Sequence, residues 1–180
     1  MDVKPKTLYH GSQHEITDGV IHTKLAYLTA TNQPIKAVFA TDDFVHAKIY
    51  AAMRKIGVQG LWKCPSDGNT LYVQKINPNI SAIVYVYELD SDGFEHDNSD
   101  YYCMTDKKIK KIHKFDVMQE IRNGNIEVFV LKDEFNKPNM SRSEWKEITK
   151  DKTKFELYKP DSKKLDMQIL AKAKNLVLDK

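Results

Sequence analysis

The chain has 180 residues, of which 41% are hydrophobic and 29% charged, and this balance is that of an ordinary soluble globular protein. Its formal net charge of +3 is too small to argue by itself for nucleic-acid binding. No apolar run approaches the roughly 18–20 residues that span a bilayer. The first residues, MDVKPKTLY, lack the apolar core of a signal peptide. We therefore expect a cytoplasmic protein that makes no membrane contact.

The cysteines and histidines argue against a metal site. Cys64 and Cys103 lie far apart, with no CxxC motif, and isolated cysteines are more often small buried hydrophobic residues than halves of a disulfide. The histidines other than His10 show no metal-ligand spacing. We interpret them as surface residues or local contacts: His14, His22, His46, His96 and His113. No metal cofactor is expected.

The first half of the chain predicts short strands around one helix. A first strand is predicted at TLYH and should end at Gly11. A second strand is predicted at KAVFAT. The helix that follows, DDFVHAKIYAAMRKIG, has Thr41 or Asp42 as its candidate cap and should end at Gly57.

The second half contains the strongest strand, SAIVYVYELD, whose continuous β-branched and aromatic residues predict a central strand covered on both faces. An acidic loop, DSDGFEHDNSD, leads to a short strand at YYCMTD and an extended segment at IKKIHKF. A helix at DVMQEIRNG should close at Asn123-Gly124. The final predicted strand is NIEVFVLKD.

These elements predict an α+β fold, because many short strands and few helices do not alternate as βαβ units. The chain has only 7 glycines and no G-x-G-x-x-G or G-x-x-x-x-G-K motif, which disfavours a nucleotide-binding Rossmann or P-loop unit. We expect one domain over residues 1–135 and a helical C-terminal extension over residues 136–180. In this extension Ser141 to Glu144 predict a capping box, and an amphipathic helix is predicted at LDMQILAKAKNLVLDK.

Three segments carry side chains suited to breaking the bond between nicotinamide and ribose in NAD. Two aromatic rings could sandwich the flat nicotinamide, and a bare glycine backbone could hold its carboxamide. An imidazole and a hydroxyl could anchor the amide and the ribose, and a carboxylate could stabilise an oxocarbenium-like transition state. The segments are LYHGS at residues 8–12, VFAT at residues 38–41 with Tyr50 one helix later, and the strand around residues 100–104.

These segments resemble motifs of the ADP-ribosyltransferase superfamily. LYHGS is similar to the family's L-[WY]-H-G-[ST] strand, and VFATDDFVHAKIYA is similar to its second motif, an aromatic-ended strand before a helix with A-x-x-Y-[AC]. The separation of Phe39 and Tyr50 matches that of the stacking aromatic residues in the poly(ADP-ribose) polymerase branch. In length the chain resembles small bacterial relatives such as rifampin ADP-ribosyltransferase. The block from Phe94 to Thr105 resembles the third motif, so the resemblance covers about residues 7–131.

The resemblance implies an ADP-ribosyltransferase-like fold, in which two small, mostly antiparallel sheets form a cleft for NAD. It implies that His10 contacts the ribose of NAD and that Gly11 and Ser12 hold the carboxamide. It also implies that Phe39 and Tyr50 sandwich the nicotinamide ring.

The third motif leaves two readings open. The family usually has Glu there, or Asp in the rifampin enzymes, and the register of SDYYC decides whether this chain has Asp100 or a tyrosine. With Asp100, the resemblance implies catalysis by His10 and Asp100, with ADP-ribose passing from NAD to an unidentified protein, nucleic acid or small molecule. With a tyrosine, the alternative is a catalytically degenerate module that binds NAD, another nucleotide or a protein. RNA 2′-phosphotransferase shares the fold but should carry additional Arg and His residues for two phosphates, and Arg54 is the one arginine before Arg122.

Overall fold

The computed structural model describes residues 5–28, 30–58, 68–76, 82–98 and 100–160. The strands in these ranges are β1 (Thr7–Ser12), β2 (Val20–Ile21), β3 (Lys24–Tyr27), β4 (Pro34–Ala40), β5 (Gly57–Val58), β6 (Thr70–Val73), β7 (Lys75–Ile76), β8 (Ile83–Asp90), β9 (Glu95–Asp97), β10 (Asp100–Cys103), β11 (Lys107–Asp116), β12 (Glu127–Leu131) and β13 (Phe155–Leu157). The helices are α1 (Phe44–Ile56), α2 (Val117–Arg122) and α3 (Arg142–Ile148), with 3-10 turns at Asp133–Phe135 and Lys152–Lys154. The predicted α+β class with mostly antiparallel strands is confirmed.

Two four-stranded antiparallel sheets form the centre of the fold. The first has the order β1-β8-β11-β2 and the second the order β3-β4-β10-β9. The sheets meet at a backbone bridge between Tyr9 and Thr41, where each N–H donates to the carbonyl of the other residue at 2.7 and 2.9 Å. The apolar core that both sheets share consists of Leu8, Ile21, Val38, Ala40, Tyr85, Tyr87, Leu89, Phe94, Tyr101 and Cys103.

β8 is the central strand that its composition predicts. It lies between β1 and β11, and its alternate side chains enter two different cores. Val84 packs with residues of α1 and α2, whereas Tyr85 and Tyr87 belong to the core between the two sheets. A strand buried on both faces needs no polar side, which explains its continuous apolar run.

β1 continues past the glycine that should have ended it, so that prediction is wrong. The ladder with β8 extends to the pairs Gly11–Val86 and Ser12–Tyr85. A Cβ atom on Gly11 would lie 2.0 Å from the backbone oxygen of Ala47 on α1. The glycine is therefore required for close packing of the strand and the helix, not for a turn.

The predicted helix α1 is present, but its cap lies one or two residues later than expected. The carboxylate of Asp43 accepts hydrogen bonds from the backbone N–H groups of Val45 and His46, at 2.8 and 3.1 Å. The Thr41 hydroxyl accepts instead from the N–H of Asp43 at 3.2 Å, before the helix begins, so the prediction of Thr41 or Asp42 as the cap is wrong. The helix ends at Ile56, directly before the predicted Gly57.

A third sheet joins the C-terminal part of the described chain to the domain. β12 pairs in parallel with β6 and antiparallel with β13. The expectation that β12 is the last strand is therefore wrong. Trp145 on α3 and Phe155 on β13 pack against Tyr72 and Leu131, so residues 136–160 add a strand and a small core that they share with β6 and β12.

Several local predictions are confirmed and one is wrong. α2 ends at Arg122, and Gly124 after it has a φ of 72°, as a helix-ending glycine requires. Ser141 and Glu144 form the predicted capping box. The acidic segment is not entirely a loop, because β9 lies within it.

Some expectations fall on parts of the chain that the structure does not describe. Cys64, Ser99 and the predicted C-terminal amphipathic helix lie outside the described residues, whereas Cys103 is buried at 3% exposure. Within the described ranges, no helix is both long enough and apolar enough to cross a membrane.

Candidate functional site

A cavity of about 260 Å³ opens beside the junction of the two sheets. Strands β1, β3, β4 and β10 and helix α1 line it with Tyr9, His10, Gly11, Ala26, Tyr27, Phe39, Ala40, Thr41, His46, Ala47, Tyr50 and Asp100. All but one of the site residues proposed from the sequence are among them: His10, Gly11, Phe39, Tyr50 and Asp100. Segments separated by up to ninety residues in the chain thus meet at one cavity.

The side chain of His10 on β1 contacts the backbone of β4 and so links the two sheets. Its Nδ1 lies 2.7 Å from the carbonyl oxygen of Phe39, and this contact is a hydrogen bond only if Nδ1 carries the proton. Burial lowers the pKa of His10 below its ordinary value, which favours the neutral ring. A neutral ring with its proton on Nδ1 has a lone pair on Nε2 that can accept a hydrogen bond from a ligand hydroxyl.

Phe39 is supported on the second sheet by a neighbouring aromatic side chain. Its ring centroid lies 6.3 Å from that of Tyr102, at an interplanar angle of 35°. The Tyr102 hydroxyl donates a 2.5 Å hydrogen bond to the carboxylate of Glu95. This chain of contacts limits the rotamers open to the Phe39 ring at the cavity wall.

Tyr50 projects from α1 and is 39% exposed. Arg54, one turn further along the helix, donates a hydrogen bond to the Tyr50 hydroxyl at 3.1 Å. The guanidinium carbon also lies 5.4 Å from the centroid of the tyrosine ring. The exposed ring offers an aromatic face on which a flat ligand can stack.

Ser12 does not line the first cavity. Its hydroxyl donates to the His14 carbonyl at 2.9 Å and accepts from the His14 N–H at 3.1 Å, which forms a local turn. It lines a second cavity of about 480 Å³. Its predicted contact with a carboxamide stays a prediction.

The register of β10 puts a carboxylate at the cavity. Tyr102 pairs with Phe39 and Tyr101 with Ala40. Because side chains alternate along a strand, Asp100 and Tyr102 share the Phe39 face, whereas Tyr101 points into the core between the sheets and is 9% exposed. Of these three β10 side chains, that of Asp100 lines the cavity.

The charge of Asp100 is set by opposing effects. Burial raises the pKa of Asp100 above its ordinary value, and the nearby carboxylates of Asp97 and Asp42 add to that rise. The side chains of His46 and His96 act in the opposite direction. A carboxyl with a raised pKa in a cavity is a common property of functional acids and bases.

The second cavity continues from the first and is more polar. The two share His10, Ala26, Phe39 and Tyr50. The polar side chains that line the second cavity are Ser12, His14, Glu15, Thr17, Asp18, His22 and Lys24. The shared walls make the two cavities parts of one cleft between the sheets.

A histidine at the rim of this second cavity is held by two carboxylates. The ring nitrogens of His22 lie 2.8 Å from Asp18 and 2.7 Å from Asp106. Both contacts are hydrogen bonds only when both nitrogens are protonated, and the two carboxylates raise the pKa of His22. His22 therefore ties the link between β2 and β3 to the turn before β11.

Sequence reasoning did not assign several cavity residues to the site. Tyr27 is 60% exposed and comes from the stretch around β3, which has no clear pattern. Thr41 enters through the bridge to β1. His46 precedes Tyr50 by four residues on α1, and this helical spacing is the signal that could have identified it.

Metal binding finds no support in the described part of the chain, where no group of three or more His, Cys, Asp or Glu side chains could hold a metal ion. Comparison of the chain with models of known protein families, with curated proteins and with solved structures found no match.

Proposed function

We propose that this protein is an NAD-dependent ADP-ribosyltransferase, which transfers ADP-ribose from NAD to an acceptor and releases nicotinamide. The observation that carries the proposal is the shared cavity of His10, Gly11, Phe39, Tyr50 and Asp100. Each of the three sequence segments that resemble the superfamily supplies part of this one cavity.

The aromatic residues suit the first cavity to a flat ring. Phe39 comes from the second sheet and Tyr50 from α1, so a ligand between them contacts two independent elements. The cavity volume of about 260 Å³ lies just below the usual range for ligand pockets, so this cavity alone suits a small ring and not a whole dinucleotide. In this proposal nicotinamide occupies the first cavity and the rest of NAD extends into the second.

His10 would bind a ribose hydroxyl of NAD. Its hydrogen bond to Phe39 fixes the ring, and Nε2 is the acceptor that remains. A neutral imidazole suits this role, because it accepts a hydrogen bond without adding positive charge beside a cationic transition state.

Asp100 would act on the bond that breaks. In the reaction the C1′–N bond of the nicotinamide riboside breaks, and its electron pair leaves with nicotinamide. Positive charge then develops on the ribose as an oxocarbenium ion, until a nucleophile of the acceptor attacks C1′ and loses its proton. A carboxylate near the ribose stabilises that charge in the transition state more than it stabilises bound NAD.

The test is nicotinamide release from NAD by the wild-type protein, with and without cell extract as a source of acceptor, compared with Tyr50→Ala. Loss of one stacking side chain should weaken NAD binding by about 1–3 kcal/mol, or roughly 5- to 150-fold in Kd. Val45→Ala is the control, because Val45 is an exposed residue of the same helix that does not line the cavity. Calorimetry gives the Kd of NAD for each variant.

The outcomes separate the proposed enzyme from the alternative. NAD binding that depends on Tyr50 without any nicotinamide release would point to a catalytically degenerate nucleotide-binding module. Absence of NAD binding at millimolar concentration would contradict both.

A further inference from the structure

Helix α1 brings a second side chain to the cavity beside Tyr50. The cap at Asp43 sets the first turn, and residues four apart on a helix share a face. His46 and Tyr50 accordingly both line the cavity. His46 lies there with Asp100, which comes from β10 in the second sheet.

We propose that His46 is a positioning residue for Asp100. The imidazolium of His46 faces the Asp100 carboxylate across the cavity and keeps that carboxylate charged. The inference rests on the proposed function for its role in catalysis, but the pairing of the two side chains can be measured without NAD.

Of the charged groups near Asp100, His46 is the one that both lines the cavity and favours the charged form of the carboxylate. The carboxylates of Asp97 and Asp42 oppose a charge on Asp100. Asp97 is 4% exposed and accepts a hydrogen bond from the Ala30 N–H at 3.1 Å. His96 favours the charged form, but it acts less strongly than His46.

The remaining imidazoles near the cleft do not fill this role. The Nδ1 proton of His10 is committed to Phe39, and burial favours its neutral ring. The ring of His96 packs edge-on against Tyr101, with centroids 4.9 Å apart, and does not line the cavity. Of these imidazoles, His46 is therefore the one that lines the cavity with Asp100 and is not committed to another described contact there.

The pairing has a consequence for the pH dependence of the reaction. Without the imidazolium, burial and the two carboxylates would keep Asp100 protonated up to a higher pH. The same positive charge repels the cationic transition state once Asp100 is ionised. Loss of His46 should therefore slow nicotinamide release at acid pH and leave the rate on the high-pH plateau equal or higher.

The direct experiment is a carbon-13 NMR titration of the Asp100 carboxyl in full-length wild-type protein, His46→Gln and His46→Lys, with Asp100→Asn to assign the signal. His46→Gln should move the titration midpoint to higher pH, and His46→Lys, which retains a positive charge, should return it toward the wild-type value. Val45→Ala is the control from the same exposed turn and should leave the midpoint unchanged. His46→Asn replaces His46→Gln if the latter does not fold.

The kinetic experiment uses the same variants in nicotinamide release. His46→Gln should lose roughly 3- to 10-fold of the rate at the acid end of the profile, with little loss on the plateau. A purely structural role would instead lower the rate equally at every pH. An Asp100 midpoint that is the same in wild type and His46→Gln would overturn the inference. A midpoint that moves in a protein that releases no nicotinamide would support the pairing and contradict the proposed function.

Discussion

The buried position of the Asp100 carboxyl affects how the stability of the folded protein depends on pH. Burial raises its pKa, so the folded protein holds the proton more tightly than the unfolded chain does. Stability then decreases as the pH rises through the pKa of the folded protein, because ionisation is easier in the unfolded chain. The charged form of Asp100 is therefore less favourable in the folded protein than in the unfolded chain.

Asp100→Asn should reduce nicotinamide release by roughly 10²-fold or more, with little change in the Kd of NAD. The substitution keeps the size of the side chain and removes a charge that acts mainly in the transition state. The thermal unfolding midpoint at pH 7 should stay the same or rise, for the reason given above. Asp133→Asn, at an exposed carboxylate away from the cavity, is the control and should change none of these quantities.

Full activity in Asp100→Asn would remove this residue from the mechanism. The other third-motif side chains, Glu95, Asp97 and Tyr102, would then be the next to replace.

At the level of single residues, the sequence identified five of the residues that line the first cavity but not the other residues that line it. His10, Phe39 and Tyr50 could be chosen because motif order and spacing are properties of the chain. The register of Asp100 could not be chosen, because a shift of one residue moves every side chain to the other face of the strand. Tyr27 could not be identified as a cavity residue from the sequence, because only the pairing of β3 with β4 brings it to the cavity.

The contact of β1 with α1 links the packing of two elements to the shape of the cavity. Gly11 lies against the backbone of Ala47, and a Cβ there would approach the Ala47 carbonyl oxygen to 2.0 Å. A helix backbone cannot yield as a flexible side chain does, so a larger residue must displace α1 as a whole. His46 and Tyr50 would move with it.

Gly11→Ala should lower the free energy of unfolding by about 1–3 kcal/mol, as overpacking typically does. It should also weaken NAD binding, because Tyr50 shifts with the helix. Gly124→Ala is the matched control: its φ of 72° is unfavourable for alanine but no atom lies within 4 Å of the added methyl group. We expect that control to lose about 1 kcal/mol of stability and to retain NAD affinity.

Denaturant unfolding and calorimetry on both variants measure the two effects. Equal NAD affinity in Gly11→Ala and wild type would contradict the link between this contact and the cavity.

The elements themselves were predicted where their residues carry a long pattern. β8 and α1 have such patterns, and both are present. β13 has only three residues and no alternation of its own, so the sequence does not identify it. Its place is decided by pairing with β12 and by burial of Phe155, which are tertiary effects. The α1 cap was misplaced because Thr41, Asp42 and Asp43 are all suitable caps by type.

For the whole molecule, the boundary predicted at residue 135 can be tested by shortening the chain. A chain that ends at Phe135 lacks Trp145 and Phe155, which cover Tyr72 and Leu131, and it leaves one edge of β12 unpaired. Burial of two large side chains contributes about 3–6 kcal/mol, a large share of the 5–15 kcal/mol typical of a domain. We expect the 1–135 chain to unfold at a much lower temperature than the full chain.

A chain that ends at Pro160 retains α3 and β13 and is the matched control, whose unfolding midpoint should exceed that of the 1–135 chain. Circular dichroism during heating measures both. Equal midpoints for the 1–135 chain and the full chain would establish residues 1–135 as an independent domain.

The junction of the two sheets also has a thermodynamic consequence. The walls of the cavity come from β1 in one sheet and from β4 and β10 in the other, so an occupant contacts both. Such an occupant gains contacts on both sides only when the Tyr9–Thr41 bridge is closed, so its binding would favour the closed junction over partial openings that separate the sheets. The affinity for an occupant and the stability of the junction are therefore linked, and a change that weakens the junction should also weaken binding in this cavity.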